Sequence, residues 1–208
     1  MSADQNTREL DSMPWFLGLS RAVPAVILAL AITFSADHSA RLGLTAFGAY
    51  AVISGLAIAI VAVTRAGTGT VRLVVLCQAA VAVVTGGAAL AVMNGGYAYF
   101  VLLLSAYAAV CGFLELYLGA RSWRRSTRHS SVARDWMFVG GLSVALAITA
   151  LVIPANFNQP YSVEGVQGAV TASVALVGVF GAYLAIIGIY LAIGAFSLKW
   201  SVAPPLPQ

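Results

Sequence analysis

Apolar residues along this chain come in unbroken runs of near-bilayer length, separated by short polar stretches. Six runs can be drawn, at Trp15–Ser35, Leu42–Val63, Leu73–Met93, Tyr97–Ala120, Trp136–Ile153 and a long last one within Val166–Leu198. About 20 residues of helix cross the ~30 Å hydrocarbon core of a bilayer. The runs lack the every-second-residue alternation of a lipid-facing strand, so the pattern predicts helices and not a barrel. The first run is too long for the apolar core of a signal peptide, and no A-x-A-like site follows it. It reads as a retained span. The expectation is an all-α integral membrane protein of six transmembrane helices. A cytoplasmic tail occupies residues 1–14, the membrane domain residues 15–199, and a disordered Pro-rich tail residues 200–208.

Composition removes the soluble alternative. Of the 208 residues, 61% are hydrophobic and 9% charged, with a mean hydropathy of +0.92. A soluble domain carries about 25% charged residues. Charge also predicts orientation. With six spans, Arg8, Arg65, Arg72, Arg121, Arg124, Arg125, Arg128, Arg134 and Lys199 share one side, and the opposite loops hold only Arg41. Lys/Arg-rich loops stay cytoplasmic, which puts both termini inside. Trp15, Trp123, Trp136 and Trp200 fall at the same predicted boundary, where an indole buries its ring and keeps its N–H wet. The net charge of +4 therefore implies no nucleic-acid partner. The loop containing Arg121, Arg124, Arg125, Arg128 and Arg134 reads first as a topology determinant. It can also attract anionic lipid, at ~1 kcal/mol per residue near the surface. Cys77 and Cys111 lie within spans and read as small packing residues, not a disulfide or a metal pair.

The even-numbered spans repeat one another. Residues 48–56 read GAYAVISGL, residues 105–113 SAYAAVCGF and residues 181–189 GAYLAIIGI. The odd spans echo more loosely, with ALAIT at 29–33 and 145–149 and AVVTG at 82–86. These matches predict three parallel helical hairpins, at 15–63, 73–120 and 136–198, derived from one unit. Tyr50, Gly55, Tyr107, Gly112, Tyr183 and Gly188 then become shared positions for packing between hairpins, since Gly and Ala let helices approach closely. The third copy is longer: 17 residues separate Thr33 from Tyr50, but 34 separate Thr149 from Tyr183. The surplus, at 154–178, fits either a partner-facing element or a tilted, overlong helix, and the helix is the favoured reading.

The run Gly112-Phe113-Leu114-Glu115-Leu116, followed by Ala120-Arg121, resembles the DUF308 (HdeD-like) family of short-repeat bacterial membrane proteins, as does the proline at Pro154 after an odd span. The resemblance covers most of residues 15–198. The chain departs from it in lacking such a proline after spans 1 and 3 and in its longer last connection. The resemblance implies a six-helix bundle linked to envelope or acid stress, and carries over no catalytic residues.

Three polar residues break the apolar spans. Glu115 lies six residues before Arg121, Arg21 six after Trp15 and Gln78 six after Arg72, which places each ~9 Å inside the cytoplasmic boundary. An Arg21–Glu115 pair with Gln78 adjacent is the economical expectation. A structural lock between helices is favoured over a transport role, and a snorkelling Arg21 is the simplest alternative. His38 and His129 fall in loops on opposite sides, and no metalloprotease, Cys/His, phosphate-loop or Ser/His/Asp pattern is present. Neither enzyme chemistry nor a cofactor or metal is expected. The predicted partners are the lipid bilayer and a membrane-protein subunit or second copy of the chain. Two functions fit: a non-enzymatic bundle supporting the envelope or a larger complex, and a small transporter or channel.

Overall fold

A computed structural model of the chain describes residues 15–64, 69–125, 131–163 and 166–201. The elements in order are α1 (Trp15–Phe34), α2 (Ala40–Thr64), α3 (Thr70–Ala91), α4 (Gly96–Arg125), α5 (Ser131–Val152), β1 (Asn158–Val163), β2 (Val166–Thr171) and α6 (Ala172–Ser201). The predicted tail at 1–14, residues 202–208 of the predicted C-terminal tail and Arg128 lie outside the described residues, as do the side chains of Arg124 and Arg125.

Five helical stretches are long and apolar enough to cross a membrane: Ala40–Thr64, Thr70–Ala91, Gly96–Trp123, Ala133–Val152 and Ala172–Ser197. A sixth, Gly18–Phe34 within α1, is apolar but shorter. Large apolar side chains such as Ile27, Phe34, Ile60, Leu73, Phe113, Leu151 and Ile193 point outward from these helices. Water would penalise so broad an apolar exterior, and lipid accepts it. The chain is a multi-pass membrane protein.

The surplus in the third copy corrects the sequence reading. Val166–Thr171 is a strand and not the start of an overlong helix; it pairs antiparallel with β1 in the register Asn158↔Thr171 to Val163↔Val166. That register leaves two residues for the connection, the commonest length for a hairpin. The fold is thus helical with one small β-hairpin, and α6 begins at Ala172. At its other end α6 continues through Trp200 and Ser201, two residues expected in a disordered tail.

Helix pairing crosses the predicted hairpins. The most extensive contacts join α2 to α3, α4 to α5 and α6 to α1, while the sequential partners within each hairpin touch less. A glycine makes each close approach. A Cβ on Gly55 would stand 2.9 Å from Val83 Cγ2 and 3.1 Å from the Ala79 carbonyl oxygen. On Gly112 it would stand 3.0 Å from both Val144 Cγ2 and the Gly140 oxygen. On Gly188 the distances are 2.7 Å to Val26 Cγ2 and 3.3 Å to the Ala22 oxygen. Each glycine therefore meets a valine and the carbonyl four residues before it, where any side chain would force the backbones apart.

That geometry aligns Ala22, Ala79 and Gly140. The threonine echo of the odd spans runs out of register with it, because the same offsets carry Thr33 to Leu90 and Leu151. Thr33, Thr85 and Thr149 instead donate to the carbonyls of Ala29, Val81 and Ala145, four residues back in their own helices. A hydroxyl that bonds its own helix is satisfied without a partner helix, so its position carries no packing register.

The inward faces of α2, α4 and α6 build the core. Phe47, Leu104 and Phe180 are fully buried, as are Leu44, Phe100 and Leu176 nearby. Phe47 meets Tyr107 edge-to-face at 5.3 Å and Phe180 at 6.1 Å, and Phe100 meets Phe180 at 6.3 Å. A second apolar cluster, of Ile58, Val61, Ala62, Val71, Val75, Ala79 and Leu118, lies toward the other end of α2.

Candidate functional site: a polar cluster inside the bundle

On α4 the buried positions Phe100, Leu104, Tyr107, Cys111, Glu115 and Leu118 recur every three or four residues. This is the spacing of one helix face. Glu115 is on that face because of its place in the helix, so its carboxylate is delivered into the interior whether or not charge is welcome there. Its side chain is 1% exposed and that of Arg21 is 8% exposed. Such a carboxylate persists only when paired and hydrogen-bonded.

The structure brings the three intramembrane polar residues together. Arg21 Nη2 on α1 donates to Glu115 Oε1 at 2.9 Å, and Gln78 Nε2 on α3 donates to the same oxygen at 2.7 Å. Arg21 is buried, so it does not snorkel to a headgroup region. The Ala22/Ala79 alignment puts Arg21 and Gln78 at matching positions of their helices. The third such position is Val139, on α5, also buried. Three helices, α1, α3 and α4, are tied through one carboxylate oxygen. Removing either partner of such a pair typically costs ~3–5 kcal/mol, because it strands a buried charge.

The cluster is larger than the sequence suggested. Tyr50, Tyr107 and Tyr183 are all buried, so the three repeated tyrosines face the interior of the bundle on α2, α4 and α6. Tyr183 and Ser143 oxygens lie 2.9 Å apart, and Ser143 also donates to the Val139 carbonyl at 2.9 Å. A hydroxyl has one proton, so Tyr183 is the donor in their bond. Cys111 Sγ sits 3.9 Å from the Gln78 carbonyl oxygen, which it faces as a weak donor. Cys77, by contrast, is exposed on α3 and packs against no core. The sequence pattern singled out neither Ser143 nor Ser54, the latter one turn beyond Tyr50 on α2. The signal for Ser54 was its place in the stripe Phe47, Tyr50, Ser54, Ile58.

Five polar atoms in this region make no well-aligned hydrogen bond with the protein's own groups: Arg21 Nε, Tyr50 Oη, Ser54 Oγ, Gln78 Oε1 and Glu115 Oε2, although the Tyr50 hydroxyl lies near enough to Ser54 and Arg21 to interact with both. Each buried orphan costs ~1–3 kcal/mol. Five together approach the ~5–15 kcal/mol net stability of a whole domain.

The other singled-out residues lie apart. Arg121 Nη1 donates to Tyr117 Oη at 3.3 Å on its own helix, and Arg134 is exposed near the start of α5. Asp37 is spent on its turn: its carboxylate accepts from Ser39 N at 2.8 Å and from Ser39 Oγ at 2.9 Å, just before α2 begins at Ala40. Among the described residues, no group of three or more His, Cys, Asp or Glu is placed to hold a metal ion. Compared with protein-family models, with curated proteins and with solved structures, the chain matches none.

Proposed function

We propose that the chain is a non-enzymatic, HdeD-like multi-pass protein of the cell inner membrane, with six spans in three parallel repeats and both termini cytoplasmic. It supports envelope or acid-stress tolerance, or serves as an accessory subunit of a larger membrane complex. The repeat reading draws support from Gly55, Gly112 and Gly188, which make matching contacts at three helix pairs. The orientation rests on the distribution of arginine and lysine.

The observation that carries the functional reading is how the polar cluster is enclosed. Glu115 and Gln78 are each 1% exposed, and along their helices they fall between members of two apolar clusters, Cys111 and Ala82 of one and Leu118 and Val75 of the other. An ion pair that joins three helices within such packing acts as a lock. It holds the hairpins in one arrangement and leaves their outer faces for lipid or a partner. The test is purification from native membrane in mild detergent, followed by reconstitution. A stoichiometric membrane-protein partner, with no ion flux from the purified chain in liposomes, is expected. A lone chain that conducts ions would overturn the reading.

A second reading, a small transporter or channel working through Arg21, Gln78 and Glu115, is favoured by the five orphaned polar atoms around the pair. Flux that disappears in Glu115→Gln, with the protein still folded, would establish it.

A further inference from the structure

The five orphaned atoms are complementary to a particular kind of guest. Glu115 Oε2 and Gln78 Oε1 can only accept, Arg21 Nε can only donate, and the hydroxyls of Tyr50 and Ser54 can do either. They belong to four helices, α1, α2, α3 and α4, grouped about one ion pair. The charges of Arg21 and Glu115 offset one another, so the guest is uncharged. It must also donate and accept at once. The pair is joined through Arg21 Nη2 and Glu115 Oε1, and Arg21 Nε and Glu115 Oε2 are left without a bond of their own.

We propose that this cluster is a buried hydration site: ordered water bridges Arg21 Nε, Glu115 Oε2, Gln78 Oε1, Tyr50 Oη and Ser54 Oγ and is occluded from both faces of the membrane. Buried water characteristically makes about three hydrogen bonds to otherwise unsatisfied groups, and five such groups hold a small cluster. The neighbouring aromatic layer is dry by the same reasoning, because Phe47, Phe100 and Phe180 offer nothing to bond. The inference goes beyond the proposed function: a static lock and a transport path would each contain this water, so copurification and flux results leave it untouched.

X-ray radiolytic footprinting of the full chain in nanodiscs, read by mass spectrometry, tests it. Hydroxyl radicals form from water in place, so a buried aromatic ring is oxidised only where water is bound beside it. Tyr50 and Phe47 are both 0% exposed, one helical turn apart and similarly reactive. Tyr50 is expected to be modified at least tenfold faster than Phe47. Equal, slow modification of the two would overturn the proposal. Occlusion is read by rapid transfer into ¹⁸O water before irradiation. The oxygen added to Tyr50 should acquire the isotope later than that added to exposed Trp200, and simultaneous uptake would mean an open aqueous path instead. Ser54→Ala, which removes one hydroxyl with little change in volume, is expected to slow Tyr50 modification severalfold; an unchanged rate would remove Ser54 from the site.

Discussion

Arg21, Gln78 and Glu115 stand at separations of 57 and 37 residues in the chain and meet at one oxygen atom. Their shared depth could be read from spacing alone, because each lies six residues from a boundary Arg or Trp, but depth does not say which helix faces which. Substitution distinguishes a coupled pair from two independent polar residues. Glu115→Gln leaves Arg21 charged and buried, and Arg21→Gln does the same to Glu115. Each should cost about 3–5 kcal/mol of unfolding free energy in detergent. The double variant leaves neutral amides and should be less destabilised than the sum by ~1–3 kcal/mol, and simple additivity would remove the coupling. The Tyr183–Ser143 bond makes a directional prediction. Tyr183→Phe deletes a donor but leaves Ser143 bonded to Val139, for a loss of ~1 kcal/mol. Ser143→Ala strands the Tyr183 hydroxyl in the core and should cost more, ~1–3 kcal/mol, in the same measurement.

At the scale of elements, glycine contacts set which helices pair. At Gly112 an added methyl would crowd the Gly140 carbonyl and Ser143 Cβ, both 3.0 Å away and both on α5. Gly112→Ala should destabilise by ~1–3 kcal/mol in thermal or denaturant unfolding. Gly87→Ala is the control. Nothing lies within 4 Å of its added Cβ, so it should be neutral or gain up to ~1 kcal/mol from helix propensity. If both variants behave alike, close approach is not what holds α4 to α5. The even-span motif was legible in sequence because its Tyr and Gly face the core and cannot vary without cost. The odd-span echo misled because threonines that bond their own helix are free of register. The strands at 158–171 were hidden for another reason. Val166–Thr171 is apolar enough to read as more of α6, and the chain change to a hairpin depends on the polar stretch NQPYSV finding it as a partner.

For the whole molecule, the remaining question is which way the bundle faces, and only its ends can answer. Hydrophobic length places five helices across a bilayer, but lipid is symmetric on that axis, so orientation follows from which loops resist translocation. The positive-inside rule expects the basic residues to do so on the side of Arg134, while the β-hairpin lies in the connection at the other end of α5, between α5 and α6. Single cysteines decide it. Cys77 is exposed and Cys111 small and buried, so both are replaced by Ala to give a silent background. Ser162 on β1 and Arg134 near the start of α5 are both exposed sites, which their cysteine variants should leave structurally intact. In intact cells a membrane-impermeant maleimide should label Ser162→Cys and spare Arg134→Cys until the membrane is opened. The reverse pattern would invert the topology and move the ion pair, ~9 Å from the arginine-rich boundary, to the outer half of the membrane. Labelling of both in intact cells would mean dual insertion, and the loop arginines would then lose their role as the topology determinant.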